Sequence, residues 1–213
     1  MQKKLNVPNA ERNLHLDFCT FQAAKYAVEN WHYSKSMPYG KSVRIGVWEN
    51  NKFIGVVIFS RGASRNIGRP FGLKQTEICE LTRIALRTHE AAVTKIVSIA
   101  LNLLKKANKG IKLVVSFSDP NYGHLGKIYQ AGNWVFMGRA GQANLIKLRG
   151  VVYQTRTIGK RYNTHSLDWI RKNIDSEVEK VIIKRKYKYL MPLEPSLKEL
   201  VEKFRKPYLK EIN

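Results

Sequence analysis

The chain has 213 residues, 44% of them hydrophobic and 25% charged, which is enough apolar material for one good core or for one domain carrying an appendage. It is too short for two full domains and too hydrophobic for disorder, and no run of about 18 uncharged apolar residues is present to span a membrane. With 38 Lys and Arg against 16 Asp and Glu, the net charge of +22 calls for a polyanionic partner, nucleic acid ahead of an anionic membrane surface.

Taken in chain order, residues 20 to 33 predict a helix capped by Thr20, with Phe21, Ala24, Tyr26 and Val28 supplying much of its apolar surface. Residues 43 to 48 and 53 to 59 are β-rich runs around Glu49-Asn50-Asn51-Lys52, a hairpin signal. A long irregular loop follows over 61 to 76, punctuated by Gly62, Gly68, Pro70 and Gly72. Residues 78 to 87 predict a strand, and 90 to 107 an amphipathic helix with Val93, Ile96, Val97, Ala100, Leu101 and Leu104 on one face. Residues 112 to 118 read as a buried strand, followed by a turn at Asp119–Gly123, a short helix around 124 to 131 and a strand at 134 to 137. The order implies an α/β (α+β) fold, a mixed sheet with helices packed on it, over residues 1 to 140. Residues 141 to 213 are expected to form a basic extension packed on this core, with strands at 151 to 158 and 181 to 190 and helices near 166 to 173 and 196 to 205.

The charge is unevenly distributed. Residues 50 to 76 carry five Lys or Arg and 120 to 167 carry seven, with no carboxylate in either stretch. Acid-free basic segments interleaved with aromatics suit phosphate contact and base stacking. They make Arg61, Arg65, Arg69, Lys127, Arg139, Lys147, Arg149, Arg156, Lys160 and Arg161 the candidate nucleic-acid contacts. The opening MQKKLNVPNAERN has no apolar segment behind its charges, and Cys19 and Cys79 are too few for a disulfide framework, so a reduced, cytoplasmic setting is expected.

Ordinary catalytic signatures are absent: no GxSxG, HExxH, paired CxxC or Walker loop. A constellation at element ends remains. His32 and Tyr33 close the first helix, where His32 reads as an acid–base group or ligand, or as a cap beside the helix dipole. Asp119 follows a buried strand, as a base or ligand, or as an Asx turn ahead of Pro120. Tyr129 is a general acid or a core tyrosine with its hydroxyl satisfied. Arg83 sits among apolar neighbours and needs an anion or a carboxylate such as Glu80.

Two resemblances extend this reading. Glu80–Leu86 (ELTRIAL), a long helix, a buried strand and IYQAGNW (128 to 134) resemble the GNAT acetyltransferase core, in which the tyrosine at Tyr129 protonates a leaving thiolate. The glycine-rich pyrophosphate loop of that superfamily is replaced by RTHEAAVTK, which counts against acetyl-CoA. Residues 29 to 64, 80 to 86 and 116 to 138 (SFSDPNYGHLGKIYQAGNWVFMG) resemble the Mom family of phage DNA-modification proteins, over roughly 25 to 165. That resemblance implies a GNAT-like fold, conversion of adenine in double-stranded DNA to N6-carbamoylmethyladenine, protection from restriction, and an iron requirement. By motif it singles out His32, Tyr33, Arg83, Ser116, Asp119 and Tyr129 as catalytic. A His32–Asp119–Tyr129 iron site and a plain Asp119–His32 hydrogen bond are both open.

Flipping adenine out of a duplex needs phosphate clamps and aromatic partners, for which Tyr33, Tyr39, Phe71 and Tyr122 are placed at loops or element ends. The donor is expected to be a small or carrier-bound molecule, acyl or glycine-derived. The oligomeric state is open, a homodimer included. Two other functions compete: a conventional GNAT N-acetyltransferase acting on a basic protein or aminoacyl-tRNA, and a non-catalytic DNA-binding protein.

Overall fold

The computed structural model describes residues 13–62, 66–141 and 144–209. Seven strands form one sheet in the order β1-β2-β3-β4-β5-β10-β6. They are β1 (Leu14–Phe18), β2 (Ser42–Glu49), β3 (Lys52–Ser60), β4 (Ile78–Leu86), β5 (Leu113–Ser118), β6 (Val135–Arg139) and β10 (Tyr187–Pro192). All neighbours run antiparallel except β4 and β5, which are parallel and joined by the crossover helix α2 (Val93–Ala107). This is the mixed sheet flanked by helices that the sequence predicts.

Local chemistry explains most of these elements. The β2–β3 hairpin turns on Asn50 and Asn51, both in the left-handed region that asparagine tolerates. Helix α1 (Phe21–Trp31) starts where Thr20 Oγ1 accepts the Ala23 N–H. Its buried stripe is Ala24, Ala27 and Val28, packed on Val56, Ile58 and Ala85. Phe21 and Tyr26, expected to share in its apolar surface, are about half exposed: the i, i+3, i+4 spacing from Ala24 leaves Tyr26 off the stripe, and Phe21 stands in the first turn with the Arg44 guanidinium over its ring. Helix α2 buries Ile96, Val97, Ala100, Leu101 and Leu104 on the opposite face of the sheet, each large side chain contributing about 1.5–3 kcal/mol.

Three boundaries differ from the sequence reading. A strand that the sequence reading does not assign precedes α1: β1 pairs with β2 from Leu14↔Glu49 to Phe18↔Ile45. The expected strand 151–158 stops at Gln154 as β8 (Val151–Gln154) and turns into helix α4 (Thr155–Tyr162), because its partner β7 (Leu145–Leu148) ends at Leu145. The expected strand 181–190 is two: β9 (Glu179–Val181) pairs with β7, whereas β10 lies between β5 and β6. The sheet therefore crosses the boundary expected at residue 140.

Between β6 and β10 the chain builds a separate three-stranded sheet, β8-β7-β9, with α4 and α5 (Leu167–Asn173). Its core is small: Ile146, Leu148, Ile158, Ile170 and Val178. A 3-10 turn at Pro195–Leu197 and helix α6 (Lys198–Glu202) then cover the second face of the main sheet through Leu197 and Val201.

Candidate active site

The parallel pairing of β4 and β5 runs from Ile78↔Leu113 to Leu81↔Ser116 and stops there. At that point β4 carries a bulge at Thr82, with Leu81 paired to Phe59 and Arg83 to Ile58. A bulge adds local twist, so the strands part beyond it. The parting opens a cleft of about 620 Å³. It is lined by Leu81–Ile84 of β4, Phe117–Asp119 at the end of β5, His32 and Tyr33 after α1, and residues 123–129 leading into α3 (Lys127–Ala131). Of the six catalytic candidates, His32, Tyr33, Arg83, Asp119 and Tyr129 line it, and Ser116 sits directly behind Tyr129.

Asp119 is 6% exposed. Its Oδ1 accepts from the Asn121 backbone N–H (3.0 Å) and from Asn121 Nδ2 (2.7 Å), and its Oδ2 lies 3.2 Å from Lys186 Nζ. Burial alone raises this carboxyl, but the two Asn121 hydrogen bonds and the Lys186 ammonium outweigh it and hold Asp119 below the usual carboxylate range. The Asx turn and the cleft position thus coexist: the same carboxylate caps the 3-10 turn Pro120–Tyr122 and faces the cleft. His124 lines the cleft ahead of α3, not on it.

Tyr129 is buried, and its hydroxyl lies 2.7 Å from Ser116 Oγ, which is in turn 2.9 Å from the Leu81 carbonyl oxygen. Ser116 has one proton for these two contacts. Given to Leu81, it leaves Tyr129 as the donor to Ser116; given to Tyr129, it frees the phenol proton for the cleft. Burial pushes the Tyr129 phenol up to about 12, so it is a proton donor at neutral pH, never a phenolate. Gly126, just ahead of α3, has φ +82, and the Tyr189 ring stands where a Cβ would come within 2.5 Å. Only glycine fits both, and α3 is thereby held against β10.

His32 ends α1, its backbone N–H donating to the Val28 carbonyl. Its Nδ1 accepts the Ser34 N–H (3.1 Å) and lies 2.8 Å from Ser34 Oγ, which assigns the ring proton to Nε2. Burial, then the neighbouring Arg83, His124, Lys186 and Lys35, push this imidazole down to about 4. His32 is neutral at pH 7. The hydrogen bond between Asp119 and His32, one of the two arrangements left open by the sequence, is not made: Asp119 pairs with Asn121 and Lys186, and His32 with Ser34. Arg83 finds backbone rather than a carboxylate: Nε donates to the Ser36 carbonyl (3.0 Å) and Nη1 to that of Thr82 (2.7 Å), tying the loop after His32 to β4. Rings gather at the mouth, Tyr33 lying 4.3 Å from His32, 4.4 Å from Tyr122 and 5.2 Å from His124, centroid to centroid.

The donor set does not fit iron. His32 Nδ1 is taken by Ser34, which leaves an N–H rather than a lone pair for the cleft, and Tyr129 is kept protonated. Among the described residues no group of three or more His, Cys, Asp and Glu comes together. The loop ahead of α2 does not fit a pyrophosphate either. Glu49, at the end of β2, accepts the N–H groups of Glu90 (2.9 Å) and Ala91 (2.7 Å), so an internal anion already occupies amides a phosphate would use.

The candidate DNA contacts divide among several places. Arg61 and Arg69 are exposed in the connection from β3 to β4, and Arg65 lies outside the described residues. Lys127 lines the cleft, and Arg139 ends β6. Lys147, Arg149, Arg156, Lys160 and Arg161 all belong to the small sheet and its helices. Helix α4 buries Ile158 and turns Arg156, Lys160 and Arg161 outward with no carboxylate among them. Lys147 is paired with Glu179 at 3.1 Å. The parts played by Asn121, Lys186 and Glu49 escaped the sequence reading, because each has a partner 40 to 70 residues away; Lys186 shows in sequence only as one cation of a basic run. No helix is long and apolar enough to cross a membrane among the described residues.

Comparison with known proteins adds the lineage. The methylcarbamoylase Mom of Escherichia phage Mu is 24% identical over 151 residues, covering 69% of this chain and 62% of that protein, less than two thirds of its length. A Bacillus subtilis acetyltransferase in complex with CoA superposes with a TM-score of 0.47 at 12% identity, covering 86% of this chain and 99% of that one. FeeM, an N-acyl amino acid synthase from uncultured soil microbes, gives 0.48 at 12% identity, covering 87% and 93%. The model of the Mom protein family matches residues 13–210, sheet, cleft and small sheet alike, and the chain belongs to that family.

Proposed function

We propose that this protein is a phage DNA-modification transferase that carries a carbamoylmethyl group to N6 of adenine in double-stranded DNA and so shields the DNA from restriction. The observation that carries the reading is the convergence of His32, Tyr33, Arg83, Asp119 and Tyr129, which span nearly a hundred positions of sequence, on one cleft in a chain of the Mom family with a charge of +22.

The chemistry follows from the target. Adenine N6 lies within the stacked duplex, so the base must swing out into a pocket. The cleft volume falls within the roughly 300–1,000 Å³ range of small-molecule sites, and the partly exposed Tyr33 and Tyr122 offer ring faces at its mouth. The N6 lone pair is delocalised into the ring, which makes it a poor nucleophile. As N6 bonds to the donor's methylene carbon it must lose a proton, and on this reading Asp119, held ionised at the wall of the cleft, takes it. Tyr129, backed by Ser116, is the donor to the leaving group. Glu49 on the loop ahead of α2 argues for a donor that is not held by a pyrophosphate, and a glycine-derived donor matches the atoms of the product.

The test is mass spectrometry of nucleosides digested from plasmid DNA of cells expressing the protein. A deoxyadenosine heavier by one carbamoylmethyl group is expected. Unmodified DNA alongside folded, abundant protein would sink the reading, and labelled glycine that leaves no label in the modified base would sink the donor assignment.

A further inference from the structure

The run KRKYK at 184–188 is part of the most basic stretch of the sequence, and the reading above gives it no part. It is stitched to the turn that carries Asp119. The Lys184 N–H donates to Asn121 Oδ1 (2.9 Å), and the Lys184 carbonyl accepts from Asn121 Nδ2 (2.9 Å). Asn121 Nδ2 also donates to Asp119 Oδ1. On the other side, Arg185 Nε donates to the Ala140 carbonyl (3.0 Å), and the Ala140 N–H donates to the carbonyl of Lys186 (2.7 Å). The backbone of the segment is thereby fixed between β5 and β6.

From this fixed backbone Lys186 reaches Asp119 Oδ2 at 3.2 Å, yet 48% of the lysine side chain is exposed, against 8% of the aspartate's. One ammonium bridges the buried carboxylate of the cleft and the solvent at its rim. Behind it in the chain stands the small sheet whose helix α4 exposes Arg156, Lys160 and Arg161. An ammonium has three donors, and a half-exposed ion pair is weak enough for a second anion to compete.

We propose that Lys186 is a positioning residue that contacts a backbone phosphate of the target strand: it holds Asp119 while the cleft is empty and passes to the phosphate when duplex DNA docks. This rests on the DNA-modification reading for its partner. Docking then withdraws the cation from Asp119 only when a strand is in place, which leaves the carboxylate free to face the flipped base.

The test is a binding cycle on the full-length protein with a labelled duplex oligonucleotide over a range of KCl concentrations. Lys186→Gln is expected to weaken binding several-fold and to reduce the slope of log K against log salt by about 0.9, the value of one phosphate contact. Lys186→Arg is expected to retain the slope. Asp119→Asn is expected to tighten binding about threefold while Lys186 is present, and to have little effect in the Lys186→Gln background. An unchanged slope in Lys186→Gln, or an Asp119→Asn effect equal in both backgrounds, overturns the proposal. Should Lys186→Gln not fold, Asp119→Asn alone decides, because affinity that does not rise contradicts the exchange. These readouts need no donor, so they are separate from the modification assay. Modified plasmid with no coupling refutes only Lys186; coupling with unmodified plasmid refutes only the reaction.

Discussion

The cleft and the small sheet solve opposite problems. The cleft is built where two central strands part, and its polar groups are buried and interlocked: Ser116 with Tyr129 and Leu81, Asp119 with Asn121 and Lys186. The small sheet has five core residues and turns its cations outward from α4. Reactive groups need fixed positions and a low dielectric, which only a deep sheet supplies. Phosphate contacts need reach and exposure, which a module with a thin core supplies without disturbing the sheet. On our account chemistry and capture therefore sit in different parts of one chain, joined by the Lys184–Lys188 segment.

Mutations that hit one region and spare the other sharpen this contrast. The largest effect is expected from Tyr129→Phe, which removes the proposed proton donor: the modified fraction of plasmid adenine should fall by about 10²-fold, with duplex affinity unchanged. Its cost in stability should be only about 1 kcal/mol, since Ser116 keeps its bond to Leu81. Affinity that fell together with modification would break the separation. Next comes Ile158→Ala, which opens a cavity in the small core and should cost about 2–4 kcal/mol. Hydrogen exchange should show faster opening in 144–181 and little change in α2; loss of protection throughout would mean that the two parts unfold as one.

A smaller effect is expected from combining Arg156→Gln, Lys160→Gln and Arg161→Gln. Folding should be intact, and the salt slope of duplex binding should fall by about 2–3. An unchanged slope would remove α4 from the DNA interface. The smallest concerns His32, whose imidazole is pushed down to about 4 in the fold from an ordinary 6.5. Between these values the unfolded chain binds a proton that the folded one does not. The contribution is therefore complete above pH 6.5, is lost as pH falls toward 4, and costs up to about 1.4 kcal/mol per pH unit. Thermal melts from pH 7 to 5 should show a shallower decline in His32→Gln than in wild type; parallel declines would show that His32 does not report on the cleft.

Much of the sheet could be read from local signals. Thr20, the Asn50-Asn51 turn and the α2 stripe with Lys105 and Lys106 in its last turn each act within a few residues. What escaped depends on distant partners. β1 is five residues with one buried side chain, and β10 shares its β-like texture with the linker before it and is recognised only by the strands on either side. The site was legible as a set of residues, through motif resemblance, but not as a circuit. That Asp119 faces Lys186 depends on packing across more than 60 residues, and that His32 turns to Ser34, two residues on, leaves it no bond to Asp119. The plain structural readings are the ones seen directly, Asp119 capping its turn and His32 ending α1, and a fixed backbone of this kind is compatible with the roles proposed for both side chains.

The most direct measurement is nucleoside mass spectrometry on plasmid DNA from cells expressing wild type and Asp119→Asn at matched levels, with duplex binding checked for both proteins. The account predicts carbamoylmethylated deoxyadenosine from wild type and at least about a hundredfold less from Asp119→Asn, which should still bind DNA. Equal modification from the two proteins, or none from a wild type that is folded and bound to DNA, would contradict it.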